Sequence, residues 1–172
     1  MDFIELSRKR YSVRKFQERK VEEEKIAVLT EAGRVAPTAS NLQPQRVIVI
    51  DSGEMLEKVK DSTPYHFNAP LVFLICYDTS VSWKRKFDGK DMGEVDASIV
   101  TTHIMLAAED LGLGATWVAF FDPQVVKQKF SLPAGVEPVA FLPVGYPSDD
   151  SKPGQNHFSR LEADKTIFRN SF

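Results

Sequence analysis

Two arginines and a serine lie within five residues near the start of the chain, in the run Arg10-Tyr11-Ser12-Val13-Arg14. An arginine side chain offers a planar fork of N–H donors that matches phosphate oxygens two at a time, and a serine hydroxyl adds a neutral donor. This cluster is suited to hold a phosphate group. Taken alone, a basic run is more often a solvated helix end, so the phosphate interpretation depends on the segments that follow along the chain.

Three further segments complete the pattern. They are a polar loop, a glycine-containing turn after a long helix and a proline-bounded strand end: Pro37-Thr38-Ala39-Ser40-Asn41-Leu42-Gln43-Pro44, Gly112-Leu113-Gly114-Ala115-Thr116-Trp117-Val118 and Pro143-Val144-Gly145-Tyr146-Pro147. Together with the basic cluster, and in this order, they resemble the FMN-dependent nitroreductase family. The resemblance runs from about residue 3 to residue 162.

The resemblance implies which residues contact the flavin. In the family an R-x-S-x-R element just beyond the first helix binds the FMN phosphate, and a later arginine often supplies another cation. A P-x-x-x-N-x-Q-P loop touches the flavin, partly from the other subunit, and a G-L-G-x-x-W segment approaches it with backbone groups. Carried onto this chain, the cofactor-binding residues are Arg10, Tyr11, Ser12, Arg14, Pro37, Thr38, Ser40, Asn41, Gln43, Thr116, Trp117, Val118 and Arg160.

Each of these segments also has a purely structural interpretation. A loop with Asn, Gln, Ser and two prolines is an ordinary connection. A Gly-x-Gly after a helix needs only a tight cap, Trp117 could belong to the core, and Arg160 could be a solvated surface residue. The chain departs from the family beside the loop, where Gln45 replaces the aromatic residue that commonly follows Gln-Pro.

Composition and length limit the class of protein. The chain has 172 residues, 42% hydrophobic and 27% charged, and we expect a single domain over 1–172. The formal net charge of -2 argues against nucleic acid as a partner. No apolar run reaches the roughly 18 to 20 residues that span a bilayer, and no signal peptide begins the chain, so we expect a cytoplasmic protein without a membrane partner. The single cysteine, Cys76, lies in an apolar run and is predicted to be buried and unreactive.

Hydrophobic periodicity and capping residues predict five helices and four strands, with Ser52 and Asp122 as N-caps. The helices cover 3–9, 22–35, 53–61, 91–111 and 123–130, and the strands cover 46–50, 70–77, 115–121 and 138–144. The resemblance implies an α+β, nitroreductase-like fold: a central, mostly antiparallel sheet of four to five strands flanked by helices, with a long buried central helix. The polar segment 148–172 carries isolated apolar anchors, and we expect it to be a C-terminal arm that docks on the partner subunit.

The predicted function is that of an NAD(P)H-dependent FMN oxidoreductase, a homodimer with FMN at the subunit interface. NADH or NADPH would pass hydride to FMN, and the reduced flavin would then reduce a nitroaromatic, a quinone or a related small acceptor by a ping-pong mechanism. Because the flavin carries this chemistry, no side-chain nucleophile is required, and the histidines show no metal-site spacing. The alternatives are an FMN-binding carrier or sensor without significant turnover, and a flavin enzyme of the same fold with other chemistry, such as dehalogenation or flavin fragmentation.

Overall fold

The fold is an antiparallel sheet of four strands packed between helices. The structure is a computed structural model and describes residues 2–172. The helices are α1 (Phe3–Lys9), α2 (Glu23–Arg34), α3 (Gly53–Ser62), α4 (Gly93–Asp110) and α5 (Pro123–Lys129). The strands are β1 (Gln45–Ile50), β2 (Leu71–Asp78), β3 (Gly114–Ala115) and β4 (Val136–Gly145), and short 3₁₀ turns cover Ala39–Asn41, Gln155–Phe158 and Ala163–Lys165.

The sheet runs in the order β1-β2-β4-β3, and every pair of neighbouring strands is antiparallel. Alternate side chains of β2 enter two separate cores: Phe73 packs with Ile104 of α4, and Leu74 packs with Phe141 of β4 and Val126 of α5. Burial on both faces explains why β2 is an unbroken apolar run in the sequence. The predicted α+β fold with an antiparallel sheet is confirmed, with four strands.

Helix α4 is the buried central helix that the sequence predicts. It packs so closely against α2 that a Cβ on Gly33 would lie 3.0 Å from Cδ1 of Ile104. It ends in a Schellman motif, in which Gly112 has a φ of 72° and the N–H of Leu113 donates to the carbonyl of Ala108 over 2.8 Å. Although α4 is apolar on most sides, no helix within residues 2–172 combines the length and the apolar character that a membrane span requires.

The predicted strand at 115–121 is wrong in its extent. β3 contains only Gly114–Ala115, and a single further bridge follows at Val118. The reason lies on the neighbouring strand, where Thr116 faces Pro143. The N–H of Thr116 donates to the carbonyl of Pro143 over 3.2 Å, but proline has no N–H with which to return the bond. The regular ladder therefore ends at Ala115, and the chain pairs with β4 once more where Val118 and Phe141 exchange two backbone hydrogen bonds of 2.9 Å.

The two predicted N-caps differ in what their side chains do. Asp122 precedes α5, and its carboxylate accepts a hydrogen bond from the N–H of Gln124 over 2.8 Å, which confirms the prediction. Ser52 precedes α3 as predicted, but its side chain makes no capping hydrogen bond. Its backbone carbonyl makes the contact to α3 instead, accepting a hydrogen bond from the N–H of Leu56 over 2.9 Å.

Several large apolar side chains are exposed, and two surface regions stand out among them. One is the turn between β2 and α4, where Phe87 is 98% exposed beside the ion pair of Arg85 and Asp88. The other is the C-terminal arm, 148–172, whose predicted anchors all stand in solvent: Phe158, Leu161, Ile167, Phe168 and Phe172. Their exposure agrees with an arm that has no apolar surface of its own chain to cover.

Candidate functional site

The Arg10–Arg14 segment runs beside the sheet edge as an extended chain. The N–H of Val13 donates to the carbonyl of Ala115 over 3.1 Å, and Ser12 forms a parallel bridge with the same residue. Val13 is fully buried. Successive side chains of an extended chain point to opposite sides, so the burial of Val13 turns Ser12 and Arg14 outward.

The segment can come this close because position 114 is a glycine. A Cβ on Gly114 would lie 2.3 Å from Cγ2 of Val13, a distance that real Cβ atoms do not reach. Farther along, the N–H of Gln17 donates to the carbonyl of Tyr146 over 2.8 Å. Backbone bonds therefore fix the basic segment relative to the sheet before any ligand binds.

A cleft of about 390 Å³ opens beside this segment. Its walls come from two distant parts of the chain and are Arg10, Tyr11, Ser12, Arg14, Gly154, Gln155, Asn156, His157 and Arg160. Nη1 of Arg160 donates to the carbonyls of His157 and Ser159 over 2.9 and 2.7 Å, which orients the guanidinium group. The structure thus brings the predicted residues of the N-terminal segment together with Arg160. We call this space the basic cleft.

The positive charge of the basic cleft is not neutralised by the part of the chain that the structure describes. Within residues 2–172, none of the guanidinium groups of Arg10, Arg14 and Arg160 has a carboxylate within ion-pair distance. The neighbouring Lys9, by contrast, pairs with Glu109 over 3.4 Å. Like charges held near one another repel, and an anion bound between them removes that cost. Guanidinium forks with a serine hydroxyl suit a phosphate group.

A second cleft, of about 190 Å³, adjoins the first. Arg14 lines both, and the rest of the second wall is mainly aromatic and apolar: Tyr65, Phe67, Thr116, Trp117, Val118, Ala119 and Phe120. The rings of Tyr65 and Phe120 meet edge to face, with their centroids 5.4 Å apart. We call this space the aromatic cleft. A basic cleft joined to an aromatic one suits a ligand with an anionic tail and a flat ring system.

Sequence reasoning missed part of both walls. Residues 154–157 belong to a segment for which the sequence predicts only a docking role, and no motif in the sequence marks His157 as part of a cleft. The aromatic wall depends on Tyr65, Phe67 and Phe120, which no motif marks and which meet only through the tertiary fold. The sequence holds one signal for residues 154–157. If Arg160 binds the phosphate, the residues just before it in the chain must lie in the same cleft.

The polar loop 37–44 lies apart from both clefts. Its predicted flavin contacts line neither of them in this chain: Pro37, Thr38, Ser40, Asn41 and Gln43. Ser40, Asn41 and Gln43 have left-handed backbones, with φ values of 51°, 54° and 53°, and all three are exposed. The N–H of Gln43 donates to Oγ1 of Thr38 over 3.1 Å and closes the loop. The polar groups of Ser40, Asn41 and Gln43 are therefore exposed and do not line this chain's own clefts.

The thiol of Cys76 is not a nucleophile. Cys76 is buried in β2, as predicted, and burial raises the pKa of its thiol to about 12, so the thiol stays neutral. Within residues 2–172, no three His, Cys, Asp or Glu side chains come together in a way that could hold a metal ion. The two clefts offer groups that bind and orient a ligand.

The family model described as "Nitroreductase family" matches residues 7–65 and 64–146 of the sequence. The chain belongs to the nitroreductase family. The matched residues include the Arg10–Arg14 segment, the polar loop 37–44 and the wall of the aromatic cleft, whereas Arg160 lies beyond them. Family membership confirms the predicted family and, at this level, the prediction of an oxidoreductase.

Individual members of the nitroreductase family are similar to the chain over most of its length. A protein of Methanothermobacter thermautotrophicus that carries the name NADH dehydrogenase/NAD(P)H nitroreductase is 35% identical over 157 residues, which cover 87% of this chain and 80% of the relative. A nitroreductase family protein of Clostridium difficile 630 has a crystal structure with a TM-score of 0.94 and 40% identity, covering 100% of both chains. An FMN-dependent nitroreductase of Clostridium difficile R20291 has a TM-score of 0.80 and 29% identity, covering 99% of this chain and 100% of the other.

Proposed function

We propose that the protein binds FMN and transfers electrons from NAD(P)H to a small acceptor. The observation that carries the proposal is the convergence of Arg10, Arg14 and Arg160, without a carboxylate partner among the described residues, on a cleft that adjoins an aromatic one. FMN has the matching parts, a phosphate at one end and a flat ring system at the other. The names of the relatives described above support the same assignment.

The residues divide between holding the phosphate and shaping the space for the ring. Arg10, Arg160 and the hydroxyl of Ser12 would bind the phosphate, while Arg14 lies between the two clefts and reaches toward both. The 116–118 segment would form one wall beside the ring. When bound, FMN supplies hydride and electron transfer between NAD(P)H and the acceptor in two successive half-reactions, so no protein side chain has to react.

The aromatic cleft favours flat acceptors. Phe120 and Tyr65 are 66% and 45% exposed at its mouth, where their rings can stack on an aromatic or quinonoid substrate and displace water. Nitroaromatics and quinones are flat molecules of this kind. They are therefore the acceptors that we propose.

The proposed assembly is a homodimer with FMN at the interface between its subunits, each a single domain over 1–172. Two features support it. The C-terminal arm exposes a series of large apolar side chains, and none of the residues of the polar loop 37–44 lines either cleft of its own chain. In a dimer, the arm would dock on the partner and the loop would reach the flavin of the partner's site.

The proposal is tested on the purified full-length protein. We expect a yellow preparation that releases FMN on heating and that, under anaerobic conditions, oxidises NADH or NADPH continuously only when a nitroaromatic or a quinone is added. Initial rates measured against one substrate at several fixed concentrations of the other should give parallel double-reciprocal lines, as a ping-pong mechanism requires. A yellow protein without acceptor-dependent oxidation would indicate a carrier or sensor, and a colourless protein that does not bind added FMN would overturn the proposal.

A further inference from the structure

Asp96 is a buried acid that the flavin chemistry does not need. It lies in the first turn of α4 and is only 2% exposed. Its Oδ1 accepts a hydrogen bond from the N–H of Ala39 over 2.9 Å, whereas its Oδ2 is buried without a hydrogen-bond partner among residues 2–172. Burial of a carboxylate with one unpartnered oxygen costs stability. Fold stability alone therefore does not explain an acid at this position.

The hydrogen bond from Ala39 joins α4 to the polar loop 37–44. Ala39 begins the 3₁₀ turn, and three of the next four residues, Ser40, Asn41 and Gln43, have left-handed backbones without being glycine. Such backbones are strained and persist only where the surroundings impose them. By holding the first residue of the turn, Asp96 fixes the direction in which the following side chains leave the loop.

The place of Asp96 on its helix suits a charged acceptor. The N-terminal turn of a helix carries partial positive charge, which stabilises a carboxylate there. A charged acceptor also binds a backbone N–H more strongly than a neutral one does. An acid in the first turn of α4 thus holds Ala39 more firmly than an amide or a hydroxyl would.

We propose that Asp96 is a positioning residue for the flavin site, because it anchors the loop that presents Ser40, Asn41 and Gln43 to FMN. The inference rests on the proposed function, in which this loop contacts the flavin. Asp96 itself lines neither cleft. Its effect passes through the backbone of the loop.

Two substitutions separate positioning from stability. Asp96→Leu removes the acceptor and the buried carboxylate and keeps a branched side chain with the same number of heavy atoms, and its melting temperature reports any change in fold stability separately. Asp96→Asn keeps a neutral acceptor in the same place. The matched control is Thr101→Val on the same helix, because Thr101 is fully buried and its hydroxyl donates within α4, to the carbonyl of Ala97 over 2.8 Å.

The first measurement is amide hydrogen exchange in FMN-free protein, read on peptides that cover residues 37–44. We expect exchange to be about tenfold faster in Asp96→Leu and about threefold faster in Asp96→Asn, in the order of acceptor strength. The second measurement is FMN titration, in which Asp96→Leu should weaken binding about tenfold and Asp96→Asn should restore most of the affinity. Thr101→Val should leave both quantities unchanged, whatever it does to the melting temperature.

The possible outcomes are distinct. If Asp96→Leu folds and shows the wild-type exchange rate and FMN affinity, Asp96 does not position the loop. The same conclusion holds if Thr101→Val changes exchange and FMN affinity as much as Asp96→Leu does. If Asp96→Leu does not fold, exchange in Asp96→Asn decides alone, and a wild-type rate there rejects the proposal. If the wild-type protein binds no FMN, the proposed function fails, whereas the exchange measurement still tests the anchoring of the loop.

Discussion

The two polar segments that point to a flavin, Arg10–Arg14 and the loop 37–44, are held in opposite ways. The first lies against the sheet edge, where Val13 is buried and bonded to the backbone of β3. The second projects from the start of β1 with exposed, left-handed residues, and a hydrogen bond to Asp96 ties it to α4. The first segment forms its cleft within one chain. The loop 37–44 exposes its polar side chains to solvent, so its contribution to a flavin site depends on whether a second subunit packs against it.

Gly114→Ala should have the largest effect on the first segment. The added Cβ would overlap Val13 and push the Arg10–Arg14 segment off the sheet edge, and overpacking of this kind costs about 1–3 kcal/mol of unfolding free energy. Because the guanidinium groups move with the segment, FMN affinity should fall by more than about tenfold. Thermal melting and FMN titration measure the two effects. Gly53→Ala is the control, since a Cβ there meets no atom within 4 Å.

Arg10→Ala and Arg14→Ala should each weaken FMN binding by about 1–3 kcal/mol, because a charge-assisted contact to phosphate is lost. The measurement is titration of the FMN-free protein, with Arg8→Ala as a control on α1 that lines neither cleft. Unchanged affinity in both cleft variants would reject the phosphate assignment.

Riboflavin, which lacks the phosphate, sharpens this comparison. Arg14 lines the aromatic cleft as well as the basic one, whereas Arg10 lines only the basic cleft. Arg14→Ala should therefore weaken riboflavin binding too, and Arg10→Ala should leave it unchanged. Equal losses of riboflavin affinity in both variants would contradict this division of roles.

How much of the fold and the site the sequence could predict depends on whether a feature is determined by residues that are close together in the sequence or only in the folded chain. β2 and α4 were predictable because each is marked by its own stretch of sequence: β2 by an unbroken apolar run, and α4 by apolar residues around most of the helix. The Arg10–Arg14 segment was also predictable as a phosphate site, because its two arginines and its serine lie within five residues of the sequence. The end of β3 was not predictable locally, since it depends on Pro143 in the facing strand. The aromatic wall was missed for the same reason, because Tyr65 and Phe120 are neighbours only in the folded chain.

Removal of residues 161–172 tests whether the C-terminal arm, like the loop 37–44, acts through contact with a second subunit. The deletion keeps Arg160 but removes most of the exposed apolar anchors of the arm. If the arm docks on a partner, the dimer should dissociate at a protein concentration about tenfold higher than for the full chain, because buried apolar area is lost. Size-exclusion chromatography with light scattering gives the oligomeric state, and far-UV circular dichroism checks that the sheet remains folded. An unchanged monomer–dimer equilibrium would contradict the docking role of the arm.

The smallest expected effect concerns the side-chain contacts of Tyr146, the residue whose backbone carbonyl accepts the hydrogen bond from Gln17 beyond the basic segment. The hydroxyl of Tyr146 donates to Glu22 over 2.7 Å, and this bond, together with Arg19, lowers the pKa of Glu22 to about 2. A carboxyl group whose pKa is lowered in the folded state stabilises the fold at pH values above its ordinary pKa. That contribution is lost as the pH falls toward the lowered pKa.

Tyr146→Phe should therefore reduce the melting temperature at neutral pH, and the difference from the wild type should shrink as the pH falls from about 4.5 to about 2. Part of the difference should persist at every pH, because the hydroxyl also accepts a hydrogen bond from Lys25 over 2.9 Å. Melting curves from pH 2 to 7 provide the measurement, with Tyr65→Phe as the control for loss of an exposed hydroxyl. A difference that stays constant across this range would show that the bond from Tyr146 to Glu22 makes no pH-dependent contribution to stability, whereas the backbone bonds of Val13 and Gln17, which titrate with nothing, hold the basic segment at every pH of this range.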